Sequence, residues 1–156
     1  MFRKLACLLI CLFPLITFAL GNTVYHDTHG KSVEFGKLKG KWIVVNYWAS
    51  WCDTCMGEVP ALNNFYRNNQ DKNVVMYGVN YDRMPMDDLK LAANKARIAF
   101  PVLEEDPNRI WQLGEIDVVP MTFIINPQGQ VVKKIVGATT EQSLLRTLKA
   151  LQYAQR

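Results

Sequence analysis

The run Trp42-Ile43-Val44-Val45-Asn46-Tyr47-Trp48 is almost wholly β-branched or aromatic, and predicts a strand buried on both faces. Beyond it, Met56 to Asn69 carries Val59, Leu62, Phe65 and Tyr66 at roughly helical spacing, which predicts a helix with one apolar face. A second apolar strand is expected over Asn73 to Asn80, and a helix over Met86 to Ile98. That helix has Asp87 and Asp88 in its first turn and Lys95 and Arg97 in its last, which suits its dipole. A short strand at Phe100 to Leu103 and a helical turn at Asn108 to Leu113 follow. Met121 to Asn126 and Val131 to Val136 form a hairpin across Pro127-Gln128-Gly129. Thr140 opens a last helix to about Gln152, with Leu144, Leu145, Leu148 and Leu151 facing inward. Upstream, Val24 to His26 and Ser32 to Phe35 flank a turn at Gly30, a further hairpin, and Gly36 to Lys41 is a polar connector. Strand–helix–strand, helix, hairpin and closing helix predict an α/β fold with a mixed central sheet flanked by helices.

The first residues break this pattern. Arg3 and Lys4 precede an apolar run from Leu5 to Phe18, and small residues follow at Ala19 and Gly21, the layout of an export signal. Residues 1–21 are therefore expected to be a signal peptide, or an uncleaved N-terminal membrane anchor, ahead of one domain over 22–156. At 156 residues and 49% hydrophobic content, the chain is long enough for one real core. Its formal charge of +4 drops to +2 once Arg3 and Lys4 are set aside, and its lysines are scattered, so no nucleic-acid partner is expected.

Cys7 and Cys11 belong to the export segment, which leaves the domain Cys52 and Cys55. Two thiols two residues apart, where a strand ends and a helix begins, put the first at a helix N-terminus. Unpaired N–H groups and the helix dipole there stabilise a thiolate. A structural staple is one alternative, but so short a loop restrains little unfolded-chain entropy. A zinc half-site is another, but it needs two more ligands, and the only histidines, His26 and His29, sit in the expected hairpin. Thiol–disulfide exchange fits best. The dithiol itself carries the electrons, so no cofactor and no metal are expected.

Asn46-Tyr47-Trp48-Ala49-Ser50-Trp51-Cys52-Asp53-Thr54-Cys55, with Glu58 and Pro60, resembles the active-site block of the TlpA-like, ResA-like and CcmG-like thiol–disulfide reductases of bacterial envelopes. Val118-Val119-Pro120-Met121-Thr122-Phe123-Ile124-Ile125-Asn126 resembles their second block, in which a cis-proline precedes a strand. Gly40-Lys41-Trp42 and Phe100-Pro101-Val102 extend the likeness over nearly all of residues 24–150. The resemblance implies a thioredoxin fold with an N-terminal β-hairpin, and a periplasmic oxidoreductase that reduces disulfides of envelope proteins. It also implies a membrane electron donor of the DsbD type and clients such as the haem-binding cysteines of apocytochrome c. The domain is expected to act as a monomer.

Within this frame Cys52 is the attacking thiol and Cys55 the resolving one. Glu58, three residues after Cys55 on the same helical face, is either a proton carrier for the thiols or a solvated helix glutamate. Thioredoxin carries a buried Asp where this chain has Asn46, which cannot ionise. Pro120 is the candidate cis-proline, the alternative being a trans-proline opening an edge strand. The backbone of Val119 and the side chain of Trp51 are expected to dock substrate, Trp48 to lie in the core, and Trp111 to pack in the core or between short elements. Asp53 and Thr54, between the cysteines, are expected to lie on the docking surface as well and bear on redox poise. An anion beside Cys52 opposes thiolate formation, which favours a reductant over an oxidant of the DsbA kind or a DsbC-like isomerase. A copper- or zinc-binding chaperone on the same fold is a rival of another class, though no histidine follows His29.

Overall fold

The computed structural model describes residues 23–70 and 72–155; the expected export segment lies outside the described residues. Strands β1 (Val24–His26) and β2 (Ser32–Glu34) form the small antiparallel hairpin. Its turn is tied by Asp27, whose Oδ1 accepts the N–H groups of His29 and Lys31 at 2.9 Å. The connector to the next strand is less polar in its contacts than its sequence suggests. Residues Phe35–Leu38 wind into a 3-10 turn, because Phe35 and Leu38 are buried and a turn of three residues puts both on the core side.

Strand β3 (Trp42–Trp48) has all seven residues buried and occupies the centre of the main sheet. Helix α1 (Asp53–Asn69) leads into β4 (Val74–Asn80), which lies parallel to β3. Helix α2 (Met86–Lys95) leads to β5 (Val102–Leu103), parallel to β4. A single helical turn, α3 (Asn108–Trp111), precedes the antiparallel pair β6 (Met121–Ile125) and β7 (Val131–Val136), and α4 (Glu141–Ala154) closes the chain. The sheet order is β5-β4-β3-β6-β7, with β6 antiparallel to β3. This is the predicted mixed sheet.

Alternation along β3 sends Val45 and Tyr47 to one face, with Val79, Trp111 and Phe123, and Val44 to the other, with Leu62, Phe65, Leu144 and Leu148. Trp48 heads a third cluster with Cys52, Cys55, Leu89 and Val102. Trp48 is core, as expected, and Trp111 is core too. In α4, Leu144 and Leu148 are buried while Leu145 and Leu151 are half-buried.

Several ends shift by a residue or two, and two boundaries differ for a reason the structure shows. Helix α2 stops at Lys95 because Arg97 takes a left-handed conformation (φ 57°) and the Ile98 N–H turns back to the Ala93 carbonyl. Asn63 of α1 then claims the released backbone, donating to the Arg97 carbonyl and accepting from the Ala99 N–H, both at 2.7 Å. Strand β5 is shortened to two residues, beginning just after Pro101, which has no N–H to offer β4. Phe100 instead folds over Gly78, where an added Cβ would stand 2.9 Å from its ring. Only glycine fits there.

Candidate active site

Strand β3 ends at Trp48, and Cys52 is the N-cap of α1 with extended backbone (φ −94°, ψ 100°). A side chain at that position points at the free N–H groups of the first turn. Here the cap is sulfur: Sγ of Cys52 accepts the Cys55 N–H at 3.1 Å. Cys52 and Cys55 are joined as a disulfide, with Cα atoms 5.2 Å apart. Cys55 is 1% exposed and Cys52 8%, so Cys52 is the less covered of the pair.

Loop 117–120 approaches from the other side. The Val119–Pro120 peptide bond is cis, Pro120 is buried, and the Val119 carbonyl oxygen lies 3.6 Å from Cys52 Sγ. The two sequence blocks, distant along the chain, thus meet at one sulfur. β6 continues directly from Pro120, and its antiparallel pairing with β3 brings the loop to the same sheet end as the cysteines.

Glu58 is 3% exposed, so the solvated-glutamate alternative is excluded. Its Oε1 accepts from Asn46 Nδ2 and its Oε2 from the Thr139 N–H, both at 2.8 Å. Asn46 Nδ2 also donates to Thr122 Oγ1 at 3.0 Å, so β3, β6, α1 and the loop before α4 share one buried network. Burial pushes the Glu58 carboxyl above its ordinary range, against the pull of these two hydrogen bonds on its charged form. Asn46 and Glu58 therefore occupy one site, the amide orienting the carboxyl. No hydrogen bond joins Glu58 to either sulfur among the described residues, although Cys55 and Glu58 share a helical face.

Asp53 and Thr54 are exposed in the first turn of α1. Trp51 is 63% exposed beside the disulfide. Its Nε1–H donates to both carboxylate oxygens of Asp82 at 3.1 Å, and its ring meets Tyr81 edge-on at 6.3 Å. Neither Asp82 nor Tyr81 was singled out by sequence, nor was Thr139, which acts through its backbone. The available signal for the first two was their place just past the C-terminal end of a central parallel strand, where sheets of this class gather their functional groups. One group of His and acidic side chains among the described residues has metal-ligand composition: His26, Glu104 and Glu105. It contains neither thiol.

A profile of the AhpC/TSA family matches residues 14–134. The thiol-disulfide oxidoreductase ResA of Bacillus subtilis (strain 168) is 32% identical over 127 residues, covering 79% of this chain and 68% of that protein. ResA of Bacillus thuringiensis (strain Al Hakam) is 31% identical over 130 residues, covering 83% and 75%. Among solved structures, StoA from Bacillus subtilis superposes with a TM-score of 0.66 at 21% identity, covering 80% of this chain and 93% of that one. A thiol:disulfide interchange protein from Chlorobium tepidum TLS superposes with a TM-score of 0.70 at 24% identity, covering 82% and 91%. These structures share the thioredoxin fold. With an intact cysteine pair at the head of α1, the chain belongs to the AhpC/TSA family and is a thioredoxin-fold thiol–disulfide oxidoreductase.

Proposed function

We propose that the protein works as a reductant of protein disulfides in the bacterial envelope, exported or held at the membrane by residues 1–21. The observation that carries this reading is the cap of α1, with sulfur as the N-cap acceptor, the second sulfur buried behind it and an acid, Asp53, in the first turn. In the reduced protein the Cys52 thiolate, held by the Cys55 N–H, attacks one sulfur of a client disulfide. The new S–S bond joins Cys52 to the client, and the client's second sulfur leaves as a thiolate and takes up a proton. Cys55 loses its proton and attacks Cys52 Sγ, which releases the second client sulfur and closes Cys52–Cys55. The client has gained two electrons and the dithiol has lost them; Cys55 gives up its one proton, and the two client thiolates are protonated from that proton and from solvent. A dithiol donor, of the DsbD type on this reading, returns the two electrons by the same exchange in reverse.

Each remaining residue has a place in that cycle. Glu58, raised by burial and on the Cys55 face of α1, is the proton acceptor for the resolving step. Pro120 closes the floor against the sulfur pair, and the Val119 backbone and Trp51 ring dock the client. Asp53 and Thr54 border Cys52 without any positive charge, which holds the thiolate, and so the reduced form, less stable than in a strong oxidant. The cycle needs one copy of the chain, no cofactor and no metal. The haem-binding cysteines of apocytochrome c are the client class that the ResA-like resemblance supports.

The reduction potential of the Cys52–Cys55 couple tests the direction. A value at or below about −200 mV fits a reductant of this class, whereas a value near about −120 mV would make the protein an oxidant. One tightly held metal ion per reduced chain, lost with Cys52, would replace the reading with a metal chaperone.

A further inference from the structure

The outer edge of β4 is only partly used. β5 pairs with Gly78 and Val79 alone, and the Gly78 N–H reaches the Pro101 carbonyl at 2.8 Å. Alternation along the strand then turns the N–H and C=O groups of Val74 and Met76 toward that same edge. Among the described residues no strand lies beside them and no other group bonds them there. Both residues are buried, so these main-chain groups are neither paired nor freely hydrated. Buried groups without partners are costly, and an open strand edge is a template on which another chain can pair.

A cavity of about 350 Å³ runs along this edge, walled by the N-terminal hairpin on one side and by Tyr66 and Gln70 of α1 on the other. Asp27 lines it and is 3% exposed. Its Oδ1 is taken by the two turn N–H groups, while its Oδ2 has no partner among the described residues. The hydroxyls of Tyr66 and Tyr77 are raised by burial and then by the Asp27 charge, which puts that carboxylate near both rings. Three lysines border the cavity, and of these Lys37 is paired with Glu34. Lys31 and Lys41 have no carboxylate partner among the described residues. A buried acceptor and open main-chain groups suit an extended backbone, and the two unpaired lysines suit acids along it. Val74 pairs with Trp42 at the start of β3, so the site lies toward the sheet end opposite the cysteines.

We propose that the β4 edge docks an extended, acidic segment of a partner protein, which adds a strand beside Val74 and Met76, offers an N–H to Asp27, and sets its acids against Lys31 and Lys41. A partner held there leaves the disulfide uncovered, so docking and exchange are separate events.

The test uses the full-length protein and a short peptide alternating glutamate with threonine, with two N-methylated forms that each block one alternate set of amides. In an added strand one set faces β4 and the other faces away, so one form should bind at least about tenfold more weakly and the other nearly as well as the parent. The amide resonances of Val74 and Met76 should shift on binding and become protected from exchange. Lys31→Glu combined with Lys41→Glu should weaken the glutamate peptide by about tenfold, and a peptide with lysine in place of glutamate should recover that loss. Reduction of a small neutral disulfide by this variant should stay at the wild-type rate. No binding of the parent peptide, equal effects of the two methylated forms, unmoved amides at Val74 and Met76, or a charge reversal without effect would overturn the proposal. Protection of these amides only on self-association at rising protein concentration would overturn it too, and give the edge to a second copy of the chain.

Discussion

Two helices of this protein begin in the same way and do different things. At α4, Thr140 is the N-cap and its Oγ1 accepts the Ser143 N–H at 3.1 Å. At α1, Cys52 is the N-cap and its Sγ accepts the Cys55 N–H at the same 3.1 Å. Both caps have extended backbone, and both bond the N–H three residues on. Thr140 stands in solvent, and its hydroxyl does no more than satisfy a helix end. Cys52 is nearly covered, faces the Val119 carbonyl, and has a second thiol at the very position its sulfur bonds. An N-cap is an acceptor site waiting for negative charge. A hydroxyl uses it for stability, whereas a thiol can ionise into it and then react.

Turning the α1 cap into one like that of α4 gives the largest expected effect. Cys52→Ser should abolish disulfide reduction while the helix keeps a good cap, so melting should change little beside the total loss of turnover. Cys55→Ser should instead accumulate a mixed disulfide through Cys52, visible by non-reducing mass spectrometry. Activity retained in the first variant and no adduct in the second would reverse the two roles.

Glu58→Gln comes next. Turnover of the resolving step should fall by roughly tenfold or more if the carboxyl moves a proton there. It should also change stability with pH in a defined sense. A carboxyl raised on folding binds more protons folded than unfolded, so its effect is a loss of stability as pH rises from about 4.5 through the elevated value. The Gln variant should lack that decline in a denaturation series across the acid range, and a wild-type curve of the same shape would remove Glu58 from the account.

Thr140→Ala should cost about 1 kcal/mol in urea unfolding and leave redox behaviour untouched. The smallest effect should come from the neighbour of the sulfur. Asp53→His should lower the Cys52 pKa and raise the potential, by at most about 30 mV for each pKa unit, with exposure reducing the shift. A potential unchanged or more negative would leave Asp53 as a first-turn helix residue and nothing more.

The contrast between the caps also marks what sequence could reveal. Both helix starts, and the strand that leads into Cys52, are written in adjacent residues: β-branched and aromatic runs, a capping residue, then helical spacing. The meeting of Val119 with Cys52 was legible only because two whole blocks resembled one family. What stayed hidden depends on pairs far apart in the chain. The burial of Glu58 needs Thr139, 81 residues on, and the grip on Trp51 needs Asp82, 31 residues on. Neither has a local signature, since an acid on a helix or in a turn looks solvated until the fold places something against it. The 3-10 turn at Phe35–Leu38 and the early end of α2 escaped for the same reason, one fixed by core contacts and the other by the side chain of Asn63.

On the proposed reading, the cap position makes Cys52, and not Cys55, the thiol that ionises. Ultraviolet thiolate absorbance followed against pH in the Cys55→Ser and Cys52→Ser variants measures each thiol alone. Cys52 should titrate below the ordinary thiol value of about 8.5, and buried Cys55 above it. The reverse order, or a Cys52 at or above that value, would contradict the account.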